Sequence, residues 1–190
     1  LLVIGFLILV QLNFEAIILG IVITPLIALY PLAKRFFILP QFILALTYNW
    51  GCFIGWAALG SNIPFSSIFI LYLSLIFWTL AYDTIYATQD EREDKNLNLY
   101  SSTLLFGSKK VIFLNIMIIA KYFLIIFYGS SLDFGFIFNI LVITISLINL
   151  LDLNIIWKNK PENASSYFSR NNYYGISLLF SIIIGSHFNV

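Results

Sequence analysis

A chain of 190 residues that is 61% hydrophobic and only 10% charged, with ten Lys and Arg against nine Asp and Glu and a mean hydropathy of +0.95, is too apolar for a water-soluble globule of ordinary composition. Its formal net charge of +1 selects no partner, and the single Cys52 excludes an intramolecular disulfide. Runs such as Ser67 to Leu80 and Leu141 to Leu151 are apolar on every face, whereas a transmembrane barrel would alternate polar and apolar positions, so the pattern predicts an all-α, multi-pass transmembrane helix bundle.

Taken in chain order, helical segments are expected at 1–12, 14–31, 40–59, 65–88, 111–128, 134–151 and 171–188, since a bilayer core asks for about 20 apolar residues per helix. The first falls short of that length and starts mid-run at Leu1, and the only methionine is Met117. The expectation is one integral-membrane domain over 1–190, truncated at its N-terminus, with about seven helices of a larger bundle. No basic stretch precedes the first run and no small-residue cleavage site follows it, which argues against a signal peptide.

The connections alternate in charge. Lys34 and Arg35 lie in one, Arg92, Lys95, Lys109 and Lys110 in a second, Lys158, Lys160 and Arg170 in a third, while the connections near Asn13, Ser61 and Ser130 carry no Lys or Arg. By the positive-inside rule the three basic connections share the cytoplasmic side. Gly60-Ser61-Asn62-Ile63-Pro64 and Gly129-Ser130-Ser131 read as short turns between antiparallel neighbours. Lys121 lies within a span, where a lysine snorkels or faces the bundle interior. The lone His187 falls at the far, non-cytoplasmic end, in a structural or interfacial role.

Acids crowd the end of the fourth segment, in Tyr82-Asp83-Thr84-Ile85-Tyr86-Ala87-Thr88-Gln89-Asp90-Glu91-Arg92-Glu93-Asp94. On a helix of about 3.6 residues per turn, steps of seven and then four bring Asp83, Asp90 and Asp94 to nearly one face. Like charges so placed repel unless a cation sits among them, and hard oxygen ligands suit Mg²⁺, a metal commonly shared with a phosphate. The other reading of the same residues is a solvated inter-helix loop in which Glu91, Arg92, Glu93 and Lys95 pair with one another.

The segment Ala81-Tyr82-Asp83-Thr84-x-Tyr86-Ala87-x-x-Asp90-x-x-x-Asp94 resembles the second aspartate-rich motif of the UbiA prenyltransferase family, in its 4-hydroxybenzoate polyprenyltransferase branch. Tyr30-Pro31-x-x-Lys34-Arg35-x-x-x-Leu39-Pro40-Gln41 with Trp50-Gly51, and Pro161-Glu162-Asn163 with Phe168-x-x-Asn171-x-x-x-Gly175, agree with the same family. The resemblance implies a UbiA-like bundle in a bacterial inner membrane or a mitochondrial inner membrane, with its active loops on the cytoplasmic or matrix side. The implied activity is transfer of a polyprenyl group from polyprenyl diphosphate to the 3-position of 4-hydroxybenzoate, in ubiquinone synthesis; the expected partners are those substrates and the lipid bilayer, with no nucleic acid.

The roles implied are Mg²⁺ on Asp90 and Asp94, catalytic work for Asp83 beside them, and diphosphate contacts from Lys34, Arg35 or Arg92 as the allylic C–O bond ionises. Arg35 would pair with the aromatic carboxylate. Tyr82, Tyr86, Tyr48 and Trp50 are candidate ring faces for the carbocation, or else interfacial anchors. The family's first motif, N-D-x-x-D-x-x-x-D, would precede Leu1. Within the matched loop Asn98 stands where the family has glycine and Tyr100 where it has lysine; Asn can adopt the left-handed backbone a glycine often marks. The same residues also admit a relative with another acceptor, such as homogentisate or dihydroxynaphthoate, an inactive truncated remnant, or a transporter whose acids form a cation site.

Overall fold

The computed structural model describes residues 2–159 and 164–187. The expected Pro161-Glu162-Asn163 motif and Lys160 lie outside the described residues, as does the side chain of Lys158. Ten α-helices occupy the described chain: α1 Leu2–Leu9, α2 Phe14–Leu29, α3 Ala33–Phe36, α4 Pro40–Asn49, α5 Gly51–Ala58, α6 Phe65–Asn96, α7 Ser102–Phe106, α8 Lys110–Ser130, α9 Phe136–Asn159 and α10 Ala164–His187. Among them, Phe14–Phe36, Phe65–Asn96, Ser102–Ser130 and Phe136–Ile155 are stretches long and apolar enough to cross a membrane.

Each of the seven expected segments is helical, but the bounds differ in ways that matter. The 40–59 segment is two helices, because the Trp50 amide turns back to the Thr47 carbonyl at 3.4 Å. The fourth segment continues eight residues past 88 to Asn96, so the acids ride on a helix and not in a loop. That helix is stopped by a left-handed residue: Asn98 has φ +51°, its amide reaches the Lys95 carbonyl at 3.3 Å, and the Leu99 amide reaches the Asp94 carbonyl at 2.9 Å. This is the 6→1 and 5→2 pattern of a Schellman cap, with Asn in the place where glycine is commonest.

α6 is the post on which the bundle is assembled. Its Ile68, Tyr72, Ile76 and Leu80 pack with Ala45 and Phe53 of α4 and α5, while Ala81 and Ile85 pack with Leu114, Ile118 and Tyr122 of α8, Phe138 and Val142 of α9, and Tyr167 and Leu178 of α10. In lipid such contacts gain from close fit, not from expelling water, which favours small residues at crossings. Gly129 of α8 shows this: a Cβ there would stand 2.1 Å from a ring carbon of Phe138.

The two kinds of connection separate to opposite ends. At one end Asn13 donates to the Ala57 carbonyl at 2.6 Å and Ser131 to Ser67 at 2.9 Å. At the other, Lys34 reaches Asp94 and Lys110 pairs with Glu91. The alternation of basic and neutral connections therefore appears as two chemically distinct ends of one bundle. Replacing Gly129 with Ala should lower stability in detergent by about 1–3 kcal/mol through overpacking against Phe138, read as a fall in the thermal midpoint; an unchanged midpoint would contradict the close crossing.

Candidate active site

Three carboxylates share one ammonium where α6 passes α3, and a ring-lined cavity lies along α6 against α4 and α10. Asp94 is only 3% exposed and its two carboxylate oxygens accept from the Lys34 ammonium at 2.9 and 3.1 Å. Asp90 and Asp83 also act electrostatically on Lys34, as their shared helical face requires. A buried carboxylate without a cation would be costly, so this pair fixes α3 against the far end of α6. The backbone adds to it: the Tyr100 amide donates to the Lys34 carbonyl at 2.8 Å. The loop after α6 is itself anchored, since the Ser102 amide donates to Gln41 Oε1 at 3.0 Å and Thr84 donates to Ser102 at 2.7 Å.

Next to the acids lies a cavity of about 470 Å³ bounded by Tyr48, Asn49, Trp78, Thr79, Tyr82 and Phe168, with Leu75 and Asn171 deeper in. Its polar wall is built by Asn49, whose Nδ2 donates to Thr79 Oγ1 at 2.7 Å and to the Ala45 carbonyl at 2.8 Å. Its aromatic wall is built by Phe168 of α10, whose ring lies 5.7 Å from that of Tyr82 and 5.3 Å from that of Tyr86. Asn171 accepts from Trp78 Nε1 at 3.2 Å, and a Cβ on Gly175 would meet the Trp78 ring at 3.1 Å. The spacing Phe168-x-x-Asn171-x-x-x-Gly175 is thus the footprint of α10 on the aromatic residues of α6.

The structure brings together Lys34, Asp83, Asp90 and Asp94 along one face of α6, while Tyr82 lines the cavity and Tyr86 joins it through Phe168. It does not bring Arg92. Two residues beyond Asp90 on a helix is about 200° of rotation, and Arg92 lines a separate groove with Thr88, Glu91, Lys95 and Leu104 on the far side of α6. Trp50 also lies elsewhere: its Nε1 donates to the Leu19 carbonyl at 3.0 Å and its ring packs on Phe53 and Tyr72. Arg35 sits beside Lys34 on α3, exposed. Glu91 pairs with Lys110 of α8 and not with its neighbours on α6, which replaces the local charge pairing of the loop reading. Asn49, Trp78 and Thr79 were not among the sequence candidates; lying in apolar helices, they carry no local signal of a site.

Among the described residues no three His, Cys, Asp or Glu side chains gather into a metal cage. Asp90 and Asp94, one turn apart on α6, are nevertheless a donor set that suits Mg²⁺ shared with a phosphate, because that ion keeps few protein ligands and completes its octahedron from phosphate oxygens and water; to serve it, Asp94 would have to release Lys34, which holds both its oxygens.

The amino-acid sequence matches the profile of the UbiA prenyltransferase family over residues 1–179. The chain belongs to that family. It is similar to the 4-hydroxybenzoate octaprenyltransferase of Francisella tularensis subsp. novicida (strain U112), at 34% identity over 95% of this chain and 63% of the relative. It is also similar to the mitochondrial 4-hydroxybenzoate polyprenyltransferase of Drosophila melanogaster, at 32% identity over 96% of this chain and 46% of the relative. The chain thus spans less than two thirds of the length of these family members. A solved structure described as that of digeranylgeranylglyceryl phosphate synthase in membranes shares the fold, with a TM-score of 0.72 at 19% identity over 97% of this chain and 66% of the other.

A double-mutant cycle on Lys34→Met and Asp94→Asn should give a coupling of about 1–3 kcal/mol in unfolding free energy, the range of a hydrogen bond to a charged group at a half-exposed partner. Additive effects of the two changes would contradict the pair.

Proposed function

We propose that the chain works as a membrane prenyltransferase domain that moves a polyprenyl group from polyprenyl diphosphate to the 3-position of 4-hydroxybenzoate, the reaction of ubiquinone synthesis. The observation that carries the reading is the convergence of Asp83, Asp90 and Asp94 on Lys34, along the same helix whose Trp78, Thr79 and Tyr82 line an aromatic cavity. The names of the Francisella and Drosophila relatives support the donor and the acceptor.

Asp90 and Asp94 would hold Mg²⁺, which when bound supplies charge neutralisation for a diphosphate leaving group. Lys34 donates its N–H groups to the diphosphate oxygens, where negative charge builds as the allylic C–O bond breaks and its electron pair leaves with the diphosphate. Asp83, about two turns deeper on the same face, sets a negative charge beside the carbon that becomes cationic. The rings of Tyr82, Trp78, Tyr48 and Phe168 exclude water and offer their faces to that cation, with Tyr86 held behind Phe168. Ring carbon 3 of the acceptor, ortho to the phenol hydroxyl, then forms the new C–C bond, and transfer of its proton to the released diphosphate restores aromaticity. Arg35 is the partner for the acceptor carboxylate, since its planar guanidinium makes bidentate pairs. Arg92 has no part in this arrangement.

By the positive-inside rule the end that carries Lys34, Lys95 and Lys110 faces the cytoplasm of a bacterium or the matrix of a mitochondrion. In membranes holding the full-length protein with polyprenyl diphosphate, 4-hydroxybenzoate and Mg²⁺, Asp90→Ala and Asp94→Ala should each lower prenylation by about 10²-fold or more. Arg92→Ala should stay within about threefold of the parent, as expected of a surface change away from the site. Full activity in both aspartate variants would overturn the assignment, and turnover confined to another phenol would overturn the acceptor.

A further inference from the structure

Trp78 stands between a cavity and an open groove. On one side is the cavity beside Tyr82 and Phe168; on the other is a shallow groove on the outer face, bounded by Trp78, Asn171, Asn172, Gly175, Ile176 and Leu179. The two share Trp78 and the two asparagines. Because α6 and α10 run antiparallel, the first lies toward the acids and the second lies deeper along α10, where Ile176 and Leu179 are exposed on the outer face of the described bundle.

The indole between them is restrained in three different ways. Its Nε1 donates to Asn171 Oδ1 at 3.2 Å. Its six-membered ring lies so close to α10 that a Cβ on Gly175 would stand 3.1 Å from Cη2. The Lys121 ammonium sits 4.6 Å from the Trp78 ring centroid and 3.9 Å from that of Tyr122. Lys121 is 1% exposed and has no ion pair or hydrogen bond among the described residues, so ring faces are what hold it. An ammonium inside an apolar bundle is expensive and by default marks a function; here its contacts are the partition itself and the tyrosine behind it.

We propose that Trp78 is a fixed partition that sets which prenyl chain lengths the site accepts, with Lys121, Asn171 and Gly175 as its positioning residues. This rests on the donor being a polyprenyl diphosphate. With the diphosphate at Lys34, the tail enters the cavity past Tyr82 and its distal isoprene units meet the indole. Removing the indole opens the cavity onto that groove and lets the tail run along Gly175, Ile176 and Leu179. Adding a methyl at Gly175 presses the ring toward the first cavity and shortens it.

The test uses the full-length protein in nanodiscs, with donors from geranyl to octaprenyl diphosphate and kcat/KM measured for each. Trp78→Ala should raise the ratio of long-donor to short-donor kcat/KM by about tenfold or more, the scale on which apolar pockets discriminate chain length. Gly175→Ala should move the ratio the other way, Lys121→Met should flatten it, and Trp78→Phe should leave it near the parent value. The same ratio in Trp78→Ala as in the parent, or a uniform loss for every donor, would overturn the proposal. Binding of unreactive prenyl thiolodiphosphates of the same lengths reads the partition separately from the reaction. If the parent protein turns over no donor, the proposed function fails, and the partition still stands or falls on whether Trp78→Ala shifts the chain-length dependence of Kd.

Discussion

A carboxylate that is 3% exposed at the end of an apolar bundle needs a cation, and Lys34 supplies it. Nearly everything at the candidate site depends on that pair. It joins a four-residue helix, which has too few turns to hold itself, to the last turn of the longest helix in the bundle, across 60 residues of sequence. The Schellman cap at Asn98 and the Tyr100 amide on the Lys34 carbonyl act in the same direction, folding the loop after α6 back over α3. The result is one end of the bundle where acids and a lysine are held by several independent contacts.

The second constraint is the division of labour on α6. Between its buried apolar faces, one toward α4 and α5 and one toward α8, α9 and α10, it leaves a strip that carries Thr79, Tyr82 and Asp83. α4 and α10 stand on either side of that strip, and the space between them is the cavity. Its walls are polar where Asn49 crosses to Thr79 and aromatic where Phe168 crosses to Tyr82. A cavity of that kind suits a reaction that starts from charge at the rim and proceeds through a cation that must be kept from water.

Much of this was legible in the sequence, for a physical reason. Helical periodicity is strict enough that steps of seven and four fix Asp83, Asp90 and Asp94 on one face wherever the helix goes, and composition alone demanded helices in lipid. Asn98 was legible as a backbone switch because few residues tolerate positive φ. Arg92 stands apart from Asp90 because nearness in sequence is not nearness on a helix. The partner of Asp94, the turn at Trp50 and the place of Trp78 were beyond reach: each is decided by which helix packs against which, and an apolar run reads the same whether its tryptophan faces lipid, core or cavity. Phe168, Asn171 and Gly175 stood out as a pattern, but their meaning, contact with Tyr82 and Trp78, needed the packing.

The most direct test of the site as a whole is the binding of Mn²⁺, as a paramagnetic substitute for Mg²⁺, to the full-length protein, followed by electron paramagnetic resonance with and without an unreactive prenyl thiolodiphosphate. If Asp90 and Asp94 hold the metal together with the donor, bound Mn²⁺ rises sharply when the thiolodiphosphate is added, and Asp90→Asn and Asp94→Asn each abolish that rise. Donor-dependent Mn²⁺ binding that survives in both variants would contradict the assignment of these aspartates as the metal and diphosphate end of the cavity.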